Sequence, residues 1–165
     1  MKHASKLTAS AALAATLIAS GIANAQTNPS MLKTFNFDQP TFIKPHTFAK
    51  AHVVIQVSQD DPARWTLVLN NVSNMLEYMG QDRIQIVVVA YGPGLKMLLP
   101  EGKMGKRIAA LNEEGVEFDA CHNTMEGMAR KLGHMPVLVP QAVIVPAGII
   151  RIVQLEGHGF TYIKP

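Results

Sequence analysis

One thiol is available to this chain. Cys121 is the only cysteine among 165 residues, and it is followed by His122 and Asn123. Upstream, Val116, Phe118 and Ala120 alternate with Glu117 and Asp119, the period of a half-buried strand. Downstream, Met125, Met128, Ala129 and Leu132 share one helical face, and Gly133 ends it. Asn123 with Glu126 three residues on reads as a loose capping box. The thiol is therefore expected at a strand end, one or two residues before a helix N-terminus. Unpaired N–H groups and the positive end of the helix dipole there favour the thiolate, the nucleophilic form. The competing reading is an inert, buried small apolar residue. A third reading is a soft-metal site, with Cys121, His122, Met125 and Met128 suited to Cu(I). Against it, the two methionines also lie on the expected core face, and zinc lacks a Cys-x-x-Cys or His-x-x-x-His.

Other chemistries are disfavoured. Tyr91-Gly92-Pro93-Gly94 follows a strand, but Met97 stands where a dinucleotide fingerprint needs its third glycine. Pro93 has no N–H to offer a phosphate. No Gly-x-Ser-x-Gly occurs, which argues against a hydrolase elbow. No cofactor is expected. There is no basic tract, so nucleic acid is not an expected partner.

The first 25 residues read as an export signal. Lys2 and Lys6 form a basic start, Leu7–Ala19 is a short apolar run, and Ala23-Asn24-Ala25 is a small-x-small cleavage site. The run is too short for a comfortable membrane span, and no later apolar run is long enough. The expected product begins near Gln26 and resides in the periplasm. Loss of the two lysines lowers the formal net charge from +3 to +1. About 140 residues then remain, enough for one domain with a real core. A single cysteine in an oxidising compartment has no internal disulfide partner, which leaves it intermolecular, reactive or buried.

The elements that must position the thiol follow from the rest of the pattern. Residues 26–50 hold Pro40 and Pro45 and have no steady period, so they read as an extended arm. Phe35, Phe37, Phe42, Ile43 and Phe48 make it too apolar for a free linker, and it is expected to lie on the domain or on a neighbouring subunit. Residues 51–165 form the domain. Ala51–Val57 is a strand, nearly continuous in apolar residues, as in sheets covered on both faces. Asp61 as N-cap and Pro62 at the first position open a long helix with Trp65, Val68, Leu69, Val72, Met75, Leu76 and Met79 on one face. Ile84–Ala90 is the second strand, Leu95–Leu99 a short helical turn, and Lys103–Glu114 a second helix. After the Cys121 strand and helix comes a strand at Ala142–Val145. Gly148–Glu156 fits either a helix or one arm of a hairpin with Phe160–Ile163. Alternation of strand and helix implies a parallel sheet with helices on both faces. Ligands in such sheets sit at the carboxyl ends of the strands. Tyr91, His122, Asn123, Asp60 and Asp61 are therefore the candidates to line a site with Cys121.

The motifs together resemble the DsrE/DsrF-like family of small sulfur-relay proteins, in an exported version. The resemblance rests on Asp61-Pro62 with Trp65, Leu69-Asn70-Asn71 and Asn74, and on Val88-Val89-Ala90-Tyr91-Gly92-Pro93-Gly94. It continues through Gly115-Val116, Ala120-Cys121-His122-Asn123-Thr124-Met125 and Val145-Pro146-Ala147-Gly148 to Gln154, Gly159, Tyr162, Ile163 and Pro165. It covers roughly residues 50–165. It implies an α/β fold, a three-layer α/β/α sandwich on a mostly parallel five-stranded sheet, with a helix at Gly148–Glu156. It further implies a homo-oligomer, a trimer or hexamer. It implies that Cys121 takes a persulfide sulfur from a donor protein and passes it to an acceptor. Relay members of the family are cytoplasmic, whereas this chain carries an export signal.

Overall fold

The computed structural model describes residues 27–165. The segment read as an export signal, with its cleavage site, lies outside the described residues. Five strands form one sheet, β1 (Ala51–Val57), β2 (Ile84–Ala90), β3 (Glu117–Cys121), β4 (Ala142–Val145) and β5 (Thr161–Ile163). They run in the order β4-β3-β2-β1-β5, and every pairing is parallel. Four helices connect them, α1 (Pro62–Met79), α2 (Gly105–Glu113), α3 (His122–Leu132) and α4 (Gly148–Gly157). The order of strands decides the layers. The first three crossovers step in one direction along the sheet and the fourth returns past β1. With right-handed crossovers, α1, α2 and α3 must cover one face and α4 the other.

The packing agrees. Val53, Ile55 and Val57 of β1, Ile86 and Val88 of β2, and Phe118 and Ala120 of β3 join one core with Trp65, Leu69, Ile108, Leu111 and Met125 of the three helices. Val54, Val87 and Val89 point the other way and meet Ile152 and Leu155 of α4. One helix cannot cover a five-stranded face, and the N-terminal arm completes it. Met31 and Phe35 of the arm pack on Val143 and Val145. Ser30 forms a parallel bridge to Ile144, so the exposed edge of β4 is partly paired. The arm thus lies on its own domain.

Local sequence explains most boundaries. Asp61 caps α1 by accepting from the N–H groups of Ala63 (2.9 Å) and Arg64 (3.3 Å), and Pro62 follows it. Three boundaries differ from the expectation. The second helix begins at Gly105 rather than Lys103, because Lys103 adopts a left-handed backbone (φ 60°) that no α-helix accommodates. The turn expected at Leu95–Leu99 is a longer 3-10 segment, Gly92–Leu98. Its Gly94 touches β1 so closely that a Cβ there would sit 2.3 Å from the Val57 carbonyl oxygen. The third difference is α3, which starts at His122 with Cys121 itself in the N-cap position. Asn123 is not a cap. It lies in the first turn, and its N–H donates to the Pro146 carbonyl at 3.3 Å. The open choice at Gly148–Glu156 falls to the helix, and β5 pairs parallel with β1, which excludes the hairpin.

Candidate functional site

Cys121 is the last residue of β3 and the residue before α3. Side chains alternate along a strand, so Glu117, Asp119 and Cys121 face α4 while Phe118 and Ala120 face the larger core. The start of α4 lies against the thiol residue. A Cβ built on Gly148 would stand 3.3 Å from the Cβ of Cys121 and 2.9 Å from the Cβ of Tyr91. Glycine is therefore the residue that lets α4 begin here. Neither α3 nor α4 has a side-chain cap at its N-terminus. Two helix starts without side-chain caps thus flank one cysteine, and at α3 the Asn123 N–H is already taken by the Pro146 carbonyl. The residue itself is 5% exposed.

Tyr91 forms the wall of this site and belongs to a hydrogen-bonded row. Gln56 Nε2 donates to the Tyr91 hydroxyl, and the Tyr162 hydroxyl donates to Gln56 Oε1. These side chains come from the carboxyl ends of β1, β2 and β5. Burial pushes the Tyr91 hydroxyl above its ordinary value, and nearby Tyr162 and Cys121 add to the rise while the Gln56 hydrogen bond opposes it. Tyr91 is accordingly a neutral hydrogen-bonding group here. Gln56 and Tyr162 were not among the site candidates read from the sequence, where Tyr162 entered only through the family resemblance. Beyond that, their only signal there was position at a strand end.

The other candidates are dispersed. His122 is partly exposed and stands 3.9 Å from Glu126, one turn along α3. Asn123 is exposed. Asp60 pairs with Lys96, and Asp61 is used as the α1 cap. Both follow β1, two strands from β3 and so roughly 10 Å away across the sheet. Met125 packs with Phe118 and Ala120 in the core on the far face from Cys121, and Met128 packs against the same core, so a shared soft-metal site with the thiol does not form. Among the described residues no group of three or more His, Cys, Asp or Glu side chains could hold a metal ion. Among them also, no helix is long and apolar enough to cross a membrane.

A second constellation lies below the thiol on the same face. The alternation of β3 suggested solvated Glu117 and Asp119, but both are buried, at 2% and 0% exposure. The arm and α4 cover that face, and Arg151 of α4, also 0% exposed, enters between them. Its Nε donates to Asp119 Oδ2 and one Nη to Glu117 Oε1, each at 2.9 Å. It also donates to Gln154 Oε1 and to the Thr41 carbonyl, both at 2.8 Å. The remaining Glu117 oxygen accepts from the Ile43 N–H at 2.7 Å, and Gln154 Nε2 donates to the Asn36 carbonyl at 2.6 Å. Gln85 on β2 accepts from the His46 N–H at 2.8 Å. The polar residues of this face thus hold the main chain of the arm. Burial raises the Asp119 carboxyl well above the usual range, the adjacent Glu117 adds to it, and Arg151 opposes. Burial raises Glu117 too, against the pull of Arg151. Asp119 Oδ1 has no partner. Two carboxyls share one guanidinium, so burial and their mutual repulsion favour a proton shared by the pair.

Fold and site together define a class: a small α/β protein with an all-parallel five-stranded sheet and one cysteine at its carboxyl edge. Among solved structures the chain is similar to the protein of unknown function MTH1491 from Methanobacterium thermoautotrophicum. The two share 30% sequence identity with a TM-score of 0.63, over 70% of this chain and 100% of that one. The chain belongs to the family of that protein. It is also similar in fold to the conserved protein of unknown function BT1422 from Bacteroides thetaiotaomicron, at 14% identity and a TM-score of 0.51, over 72% of this chain and 98% of that one. No family model matches the sequence, and no curated protein does.

Proposed function

We propose that this is a sulfur-relay protein of the DsrE/DsrF-like kind, exported to the periplasm, that carries a persulfide sulfur on Cys121. One observation carries the reading. The single thiol residue ends a central strand at the carboxyl edge, between the uncapped starts of α3 and α4. The Cys121 thiolate would attack the outer sulfur of a donor persulfide. A new Sγ–S bond forms, the donor S–S bond breaks, and the donor departs as its thiolate. The reverse attack by an acceptor thiol removes the sulfur, with no net oxidation or reduction. Tyr91 walls the site.

The test is incubation with a low-molecular-weight persulfide followed by intact mass measurement. The expected result is a reducible gain of one sulfur, absent in Cys121→Ser with the fold retained. A thiol that alkylates only after denaturation and takes up no sulfur would refute it. The near-complete burial of Cys121 favours a second reading, a non-catalytic oligomeric binding module with an idle cysteine, and that result would select it.

Self-association is part of the same proposal. Ile149, Ile150 and Val153 on the outer side of α4 are 53%, 43% and 48% exposed, on a helix whose inner side is already buried. A helix apolar on both sides suits burial. Light scattering should give a trimer or hexamer, and Val153→Glu should give smaller species. A monomeric wild type would refute the assembly. Cell fractionation tests the location: protein that retains Lys2 and Lys6 in the cytoplasm would overturn export.

A further inference from the structure

A groove of about 810 Å³ opens at the carboxyl edge of the sheet on the side of α1–α3, away from the face that Cys121 points to. One wall is α3, where Thr124, Gly127, Met128 and Lys131 follow the spacing of a single helical stripe. The other wall is the turn after β2, with Gly92, Pro93 and Lys96. The walls are tied together, since the Gly92 N–H donates to Thr124 Oγ1 at 2.9 Å. The groove is therefore built into the fold. Its floor is open at Gly127, where an added Cβ would meet only the end of the Arg130 side chain, at 3.7 Å.

Its chemistry is mixed and net positive. Pro93, Met128 and Leu132 supply apolar surface, and Leu132 is 51% exposed. Lys96, Arg130 and Lys131 supply three cations against one carboxylate, Asp60, which is paired to Lys96. Arg130 and Lys131 suit the C-terminus of α3 on dipole grounds alone. Lys96 enters from the opposite wall, where it is paired to Asp60. The net positive charge of the groove therefore lies on its α3 wall, at Arg130 and Lys131. No aromatic side chain lines it, so bases would have no stacking platform, and three cations are few for a phosphate backbone.

We infer that this groove docks an acidic amphipathic segment of a partner protein. Its carboxylates meet Arg130 and Lys131, and its apolar residues lie over Pro93, Met128 and the notch at Gly127. A helix laid in a groove with anchors one turn apart is a general mode of such recognition. The inference stands apart from the thiol chemistry.

The probe is a fluorescein-labelled helical peptide with Leu at i, i+3, i+4 and i+7 and Glu elsewhere, titrated against the full chain. Comparison probes are its Lys counterpart, a single-stranded oligonucleotide and anionic phospholipid vesicles. The expected result is saturable binding of the Glu peptide alone, weakened by added salt. Its amide shifts should be confined to α3 and the turn after β2. Gly127→Leu plugs the groove with a better helix former and should weaken binding at least tenfold with the fold intact. Arg130→Glu with Lys131→Glu should do the same and admit the Lys peptide. The inference is overturned if the Glu peptide fails to bind, if both variants bind it as wild type does, or if the oligonucleotide or vesicles bind better. It is equally overturned if Gly127→Leu converts an oligomer to monomers, which would make a second copy the occupant.

Discussion

Replacing Arg151 with Met should be among the most damaging single changes in the chain. The side chain is 0% exposed and makes four hydrogen bonds, two of them to buried carboxyls. Methionine matches its length but leaves every one of these partners unmet. Breaking a buried ion pair by removing one member costs about 3–5 kcal/mol. The lower part of that range is expected, because Asp119 already favours its neutral form and loses less than a fixed charge would. Glu117, Gln154 and the Thr41 carbonyl bear the rest, at about 1–3 kcal/mol for each group left buried and unpaired. A domain of this size has roughly 5–15 kcal/mol of stability in all, so the variant should fold but only marginally. Urea denaturation would read the loss as a lower midpoint. Limited proteolysis would read its place, with cleavage appearing between Asn36 and His46 before the rest of the domain is attacked. The triple variant Arg151→Met, Glu117→Gln, Asp119→Asn should recover part of the loss, since no charge is then buried. A loss below about 1 kcal/mol, or a loss with the arm still protected, would refute the account of the arm as held by this network.

Three further outcomes follow from the same geometry. Asp119 and Glu117 are both raised by burial, so the stability they contribute is full below their unfolded values and is lost as pH rises through the folded ones. Asp119→Asn should therefore gain stability relative to wild type as pH rises from acid to neutral, and thermal melts showing the opposite slope would reject the shared proton. Gly94→Ala must force a backbone oxygen away and should abolish soluble folded protein. Gly148→Ala meets the Cβ atoms of Tyr91 and Cys121 at a less severe 2.9 and 3.3 Å, so the start of α4 must shift by less, and it should cost about 1–3 kcal/mol while altering the rate at which Cys121 alkylates; equal effects in expression and melting trials would contradict this ranking. Asp61→Ala should cost about 1 kcal/mol by removing the α1 cap, and an unchanged denaturation midpoint would show that the cap contributes nothing.

The chain's local patterns determined the type and order of its elements up to β4, and left only Gly148–Glu156 open between helix and hairpin. Continuous apolar strands at Ala51–Val57 and Ile84–Ala90, a capped helix at Asp61-Pro62 and alternation of strand with helix sufficed, because each depends on residues a few positions apart. Alternation also put Cys121 at the carboxyl edge. The tertiary structure decided which face that residue takes and what meets it there. Gly148 lies 27 positions away in sequence and abuts Cys121 only because the fourth crossover returns on the other side of the sheet. The same crossover brings Arg151 onto Glu117 and Asp119. Two acidic residues in a strand covered on both faces, and one arginine in the apolar run Ile149–Val153, were visible signals. Their pairing was not, because strand alternation alone reads polar residues as solvated unless something else covers them. Covering them is the work of the arm, whose irregular sequence carries no period. It is held through its main chain by Gln85, Glu117, Arg151 and Gln154, and main-chain contacts leave no mark on the residue types of the segment they hold.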